Sequence, residues 1–187
     1  EYGQFIIPTD YTCNLTFLLA VEFDDQDVFT RPNTDTSEVD SDKHYVAFVV
    51  SDGDNATYWQ NTAAFAENFM AAVGREADTF PVTWSISPSL ADLMPTVLNN
   101  VYNISNPYDY FTAPVSGHGY VNAGEFASVS NAEYWLNFLD KLNIYLTKAD
   151  LSSVTVIGGS AGTYGLSNVL DDYAQLSAVD GGMVYEG

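Results

Sequence analysis

The sequence predicts an α/β fold with parallel strands. Short apolar runs alternate with stretches of helical periodicity along most of the 187 residues, the pattern of a chain that passes from strand to strand through helices. Val46, Ala47, Phe48, Val49 and Val50 are apolar without alternation, as expected of a strand covered on both faces. The residues that follow the apolar runs are polar, and in parallel α/β folds those carboxyl ends are where ligands bind.

The strand candidates are Gln4–Ile7, Tyr45–Ser51, Phe80–Ile86, Tyr108–Ala113, Ser153–Ile157 and Gly182–Tyr185. Between them, residues 63–73 place Phe65, Phe69 and Val73 on one helical face. Ser89 with Asp92 starts a helix through Leu90, Leu93, Val97, Leu98 and Val101, and Pro95 inside it predicts a kink or a restart, since it removes a hydrogen bond. Ser130 with Glu133 reads as a capping box before Trp135, Phe138, Leu139, Leu142 and Tyr145. A last helix from Ser167 uses Leu170, Tyr173 and Leu176. Residues 22–44 break the pattern with eight acids, Glu22, Asp24, Asp25, Asp27, Asp35, Glu38, Asp40 and Asp42, against Arg31 and Lys43. They read as an exposed acidic loop insertion, without the fixed glycine and bidentate glutamate that would identify a calcium loop.

Charge narrows the partners. Five Lys+Arg against 25 Asp+Glu give a net charge of −20, which argues against phosphate backbones and anionic membrane surfaces and leaves neutral or cationic ligands. Cys13 is the single cysteine and His44 and His118 the only histidines, so neither a disulfide within the chain nor a Cys- or His-rich metal site can be built. No cofactor is expected, although a carboxylate-held divalent cation such as calcium is compatible. The opening residues lack the basic-then-apolar pattern of a signal peptide, and no apolar run approaches a membrane span. The acid excess and scarcity of lysine suit an extracellular protein. N-x-[ST] sequons stand at Asn14, Asn55 and Asn103, about as many as chance gives.

Three segments carry candidate chemistry. Ser51-Asp52-Gly53-Asp54-Asn55 follows the second strand and sets two carboxylates on either side of a glycine. Such a pair can divide acid and base work or hold a cation, and equally the segment can be a turn whose Asp and Asn cap a helix. Gly117-His118-Gly119-Tyr120 is too rich in glycine for a strand or helix interior and reads as a tight turn that leaves His118 exposed, either as an acid or base or as a surface residue. Gly158-Gly159-Ser160-Ala161-Gly162 lacks the Lys-[Ser/Thr] of a phosphate loop and reads as a close-packed strand-to-helix turn. Among 3 Trp, 13 Tyr and 11 Phe, Trp59, Trp84, Tyr108, Tyr110 and Tyr120 lie near strand ends, where aromatic faces stack on sugar rings, while those at helical spacing fill the core.

Taken in order, Tyr45 to Asn55, then Pro81-Val82-Thr83-Trp84-Ser85-Ile86-Ser87-Pro88-Ser89-Leu90 with Asp92 and Pro95, then Asp109-Tyr110-Phe111 and Ser116-Gly117-His118-Gly119-Tyr120, resemble the C-terminal domain of the GxGYxYP family. Asp10 to Thr16 resembles that domain's opening segment, so the likeness runs over about residues 5–185. In the motif that names the family, Gly117, Gly119 and Tyr120 agree, whereas Val121-Asn122-Ala123 stands where Tyr-Pro would follow, and His118 holds a place usually given to a smaller residue. The resemblance implies a glycoside hydrolase domain of a secreted bacterial protein.

These readings combine into one expectation. Residues 1–187 form a single parallel (β/α) barrel-like domain, incomplete, with about six strands, belonging to a larger protein. It acts on a neutral or cationic glycan, with Asp52 and Asp54 as acid and base, Asp109 and Glu186 as reserve carboxylates, and Trp84, Ser87, His118 and Tyr120 as substrate contacts. Another subunit or chain segment covers the last strand. The alternative is a non-catalytic, secreted structural or adhesive glycoprotein that keeps the barrel.

Overall fold

The structure is a computed structural model and describes residues 6–9, 12–21, 29–34, 39–60, 80–157 and 164–185. Among these, five strands run parallel: β1 Val49–Val50, β2 Val82–Ser85, β3 Asp109–Thr112, β4 Ser153–Ile157 and β5 Gly181–Tyr185. They form a three-stranded sheet in the order β1-β2-β3 and a two-stranded sheet of β4 and β5. Parallel pairing and the order of the elements follow the sequence pattern; the expected barrel of about six strands does not form.

Hydrogen bonding accounts for the break between the sheets. They meet at one bridge, Ala113 with Val154, where Ala113 N–H donates to Ser153 O and Thr155 N–H to Ala113 O, both at 2.9 Å. After it the chain turns, Gly117 N–H donating to Pro114 O, and Ile157 N–H, the next donor of the ladder, settles on the Ser116 hydroxyl at 3.2 Å. The ladder is stopped on that side. Strand β1 is short: Val46 and Phe48 are 76% and 55% exposed among the described residues, where Phe48 meets Phe80 at 5.2 Å, so the run expected to be covered on both faces is not buried there. Of the first strand candidate, Ile6 and Ile7 lie outside any strand, and residues 4 and 5 are not among those described.

In β2, β3 and β4 burial alternates: Val82, Trp84, Phe111, Val154 and Val156 are buried, while Thr83, Tyr110, Ser153 and Thr155, on the alternate positions, are half-buried. Ser85 and Thr112, at the carboxyl ends of β2 and β3, are buried as well, and β5 is largely exposed. The buried strand residues form one core with residues of helices α2 Leu90–Leu93, α3 Pro95–Ile104, α4 Ala123–Val129, α5 Ala132–Lys148 and α6 Leu166–Ala174, and α1 Leu15–Leu19 lies against it through half-buried Leu15 and Leu18. Pro95 restarts the chain as a helix: Met94 leaves helical geometry (φ −148°, ψ 62°) and Pro95 takes the first position of α3, where its missing N–H is harmless. The cap of α5 is Asn131, whose Oδ1 accepts from Glu133 N–H at 3.2 Å, and Ser130 instead ends α4. Trp135, Phe138, Leu139, Leu142 and Leu146 form the buried stripe of α5. On α6 the buried residues are Val169 and Tyr173, and Leu170 is exposed. The helix expected over 63–73 lies outside the described residues.

Within the acidic stretch, residues 29–34 and 39–44 have no regular structure. Arg31 clips the first of these to the turn after α5, its backbone N–H on Asp150 Oδ2 at 2.9 Å and a guanidinium N–H on Ser152 Oγ at 3.0 Å. No helix among the described residues is long and apolar enough to cross a membrane.

Candidate active site

Because the strands are parallel and in register, Val50 beside Trp84 and Ser85 beside Thr112, the segments after β1, β2 and β3 leave the sheet at the same end. The corner after β1 is the most constrained of them. Gly53 lies so close to β2 that a Cβ on it would stand 1.5 Å from Ser85 O, so only glycine fits. Gly53 N–H donates to Ser85 Oγ at 2.9 Å, and Gly53 O accepts from Ser87 N–H at 2.9 Å and from the Trp59 indole at 3.2 Å. On either side of this fixed point the two acids differ. Asp52 is exposed and adopts the left-handed conformation, φ 77°, which non-glycine residues seldom take, whereas Asp54 is buried. Asn55 is the cap in this segment: its Oδ1 accepts from Thr57 N–H at 2.9 Å at the start of helical residues 56–60. Burial, with the Asp52 charge adding to it, pushes the Tyr58 hydroxyl up to about 12, so Tyr58 stays protonated near Asp52.

Ser87 is buried and shares a 2.7 Å hydrogen bond with Ser89 Oγ. It belongs to the Asp52 corner through its N–H on Gly53 O. Trp84 and Asp109 do not. Trp84 is fully buried and donates its indole N–H to Asp109 Oδ1 at 2.8 Å, while Asp109 Oδ2 accepts from Asn106 N–H at 2.9 Å. Asp109 is the first residue of β3, on the helix-facing side of the sheet at the end opposite the carboxyl termini. The expected sugar-stacking face and reserve carboxylate are instead a buried strut.

His118 follows β3 and is 1% exposed, so the glycines beside it do not leave it open. Its ring lies 4.6 Å from that of Phe138 and stacks 5.5 Å from that of Tyr145, both on α5. Burial, aided by the Lys141 charge, pushes the imidazole down to about 4, which makes it neutral at pH 7. Gly117 (φ 129°) brings the turn against Leu142. Tyr120 is 52% exposed and anchored by its N–H on Ile6 O at 2.9 Å. Asn122 caps α4 by accepting from Glu125 N–H at 3.2 Å, and Ala123 is its first residue. Glu186 and the second glycine cluster lie outside the described residues.

Asp52, Asp54 and Ser87 therefore share one corner, with Tyr58 and Ser85 as members that sequence reasoning missed. The glycine of Asp52-Gly53-Asp54 was the available signal, since it marks a close backbone approach. An apolar cleft of about 350 Å³ lies elsewhere, between β4, β5 and α6, lined by Val154, Val156, Leu170, Tyr173 and Val184 among others. Among the described residues no three His, Cys, Asp or Glu side chains are grouped to hold a metal ion.

Residues 42–187, which include this corner and the His118 turn, match the family described as "GxGYxYP putative glycoside hydrolase C-terminal domain". The chain belongs to this family. The positions where the family's name places Tyr-Pro are here the cap and first residue of α4, and proline and alanine both suit a first helical position. A crystal structure of a putative hydrolase from Bacteroides thetaiotaomicron VPI-5482 is similar over 97% of this chain, with 29% identity and a TM-score of 0.78. This chain spans 33% of that one. No curated protein matches.

Proposed function

We propose that the Asp52 corner hydrolyses a glycosidic bond in a neutral or cationic glycan outside the cell. The observation that carries this reading is an exposed carboxylate held in a strained conformation at the carboxyl end of a parallel strand, with a second carboxylate two residues on. Strain of this kind persists where the surroundings over-determine it, and it clusters at functional sites. Asp52 meets the substrate, and Asp52 and Asp54 divide the acid and base roles that glycoside hydrolysis requires. Glu186, after β5, is the reserve carboxylate, Tyr120 the exposed ring available for sugar stacking, and the charge of −20 favours neutral or cationic chains over anionic ones. His118 supports the neighbouring turn as a neutral group.

A second reading, an adhesive or structural glycan-binding role without turnover, is favoured by Asn122 and Ala123 at the family's Tyr-Pro positions. Assays of the full chain on malto-, xylo-, manno- and chitosan oligosaccharides separate the two. Hydrolysis that falls by about 10²–10⁴ in Asp52→Asn and in Asp54→Asn supports the enzyme; near-full activity with both replaced sinks this site. Binding with no turnover by the wild type favours the second reading.

A further inference from the structure

We infer that Ser85 is a positioning residue: its hydroxyl closes the turn that holds Asp52 in the left-handed conformation and aims its carboxylate at substrate. Its importance for turnover rests on the proposed hydrolytic role of Asp52.

Ser85 is the last residue of β2 and is buried. Its Oγ donates to Val50 O at 2.9 Å and accepts from Gly53 N–H at 2.9 Å. Those two groups bracket Ser51-Asp52, so one hydroxyl ties the end of β1 to the residue just past the candidate acid. The far side of the turn is fixed independently. Gly53 O is held by Ser87 N–H and the Trp59 indole, and Asp52 O accepts from Asn55 N–H at 3.2 Å. With both sides fixed, the intervening residues must reverse the chain in little space, and Asp52 absorbs this with φ 77°. A serine hydroxyl suits the place because it donates and accepts at once. Alanine would leave Gly53 N–H unpaired, while Val50 O keeps the ladder bond that the register gives it, and the turn could then relax toward the ordinary negative φ of an aspartate.

The test uses the full chain with Ser85→Ala and Ser85→Thr, the latter keeping the hydroxyl. Crystal structures should show Asp52 at negative φ in Ser85→Ala and at positive φ in Ser85→Thr. On an oligosaccharide that the wild type turns over, Ser85→Ala should lower kcat about tenfold to a hundredfold at little-changed KM, as misplacement of a reacting group does, and Ser85→Thr should restore most of it. A Ser85→Ala structure with Asp52 still near its present φ overturns the inference. Should Ser85→Ala fail to fold, Ser85→Cys takes its place with the same two readouts, since its thiol is a weak donor and acceptor, and Asp52 still near its present φ with kcat unchanged overturns the inference. Retained activity in Asp52→Asn refutes the catalytic reading while leaving the backbone result intact, so the two failures can be told apart.

Discussion

Two turns at the carboxyl ends of strands set a titratable residue beside a glycine, and they treat it in opposite ways. After β1, Gly53 presses backbone to backbone against Ser85 and leaves Asp52 exposed. After β3, Gly117 presses against the Leu142 side chain and the turn sinks under α5, so that His118 is 1% exposed between Phe138 and Tyr145. A glycine beside a titratable residue therefore signals a close approach without saying which group ends up in water. What lies over the turn decides that: a helix covers the histidine, and the strand under Gly53 leaves the aspartate free to face outward.

The largest expected effect breaks the comparison at its glycines. Gly53→Ala puts a Cβ 1.5 Å from a backbone oxygen of β2, which no rotamer change can relieve, so a loss above ~4 kcal/mol or failure to fold is expected. Gly117→Ala meets Leu142 Cδ1 at 2.7 Å in a left-handed conformation. The leucine tip can shift but the backbone strain stays, for a loss of about 2 kcal/mol. Urea denaturation of both variants gives the order, and a reversed order would mean that the β1 corner yields more readily than the α5 wall.

A smaller effect separates the turns by pH. Unfolded histidine titrates near 6.5, and His118 is held down to about 4 by burial and the Lys141 charge. The unfolded chain thus binds the proton first. The stability linked to this group is full above pH 6.5 and is lost as pH falls toward 4, by about 2 kcal/mol between pH 7 and pH 5. His118→Phe keeps a ring between Phe138 and Tyr145 and should remove that share of the pH dependence, leaving the share due to carboxylates. Equal urea midpoints shifts with pH in wild type and variant would place the histidine in water.

Legibility followed the range of the interactions. Ser153–Ile157 has the same bounds in sequence and structure, and Pro95 restarts a helix as its missing N–H requires. These depend on neighbours along the chain. The 45–50 run reads as a buried strand because its residues are apolar, yet among the described residues the strand covers Val49–Val50, with Phe48 O accepting from Thr83 N–H just before it, since pairing needs a neighbour that composition cannot supply. The barrel failed for the same reason: nothing local foretells that Ile157 N–H goes to Ser116 Oγ, which stops the ladder between β3 and β4 beyond the Ala113 bridge. In the site, the tight corner at Gly53 was legible, and the hydroxyl that closes it and the rings that bury His118 come from distant segments.

The smallest effect concerns the wall that makes the two turns differ. Helix α5 carries Phe138, Leu142 and Tyr145 against the His118 turn, and its first turn is capped by Asn131, whose Oδ1 accepts from Glu133 N–H at 3.2 Å. Asn131→Ala removes that acceptor and should cost about 1 kcal/mol, read as a Tm lower by a few degrees. Ser130 stands one residue earlier with its Oγ buried and without a hydrogen-bond partner among the described residues, so Ser130→Ala should be neutral or slightly stabilising. No comparable helix cap holds Asp52, which is fixed by Ser85 and Gly53. Asn131→Ala should therefore lower Tm while leaving Asp52-dependent hydrolysis of the folded protein unchanged. A larger loss from Ser130→Ala would return the cap to the serine, and a fall in hydrolysis with Asn131→Ala would join the two turns into one unit.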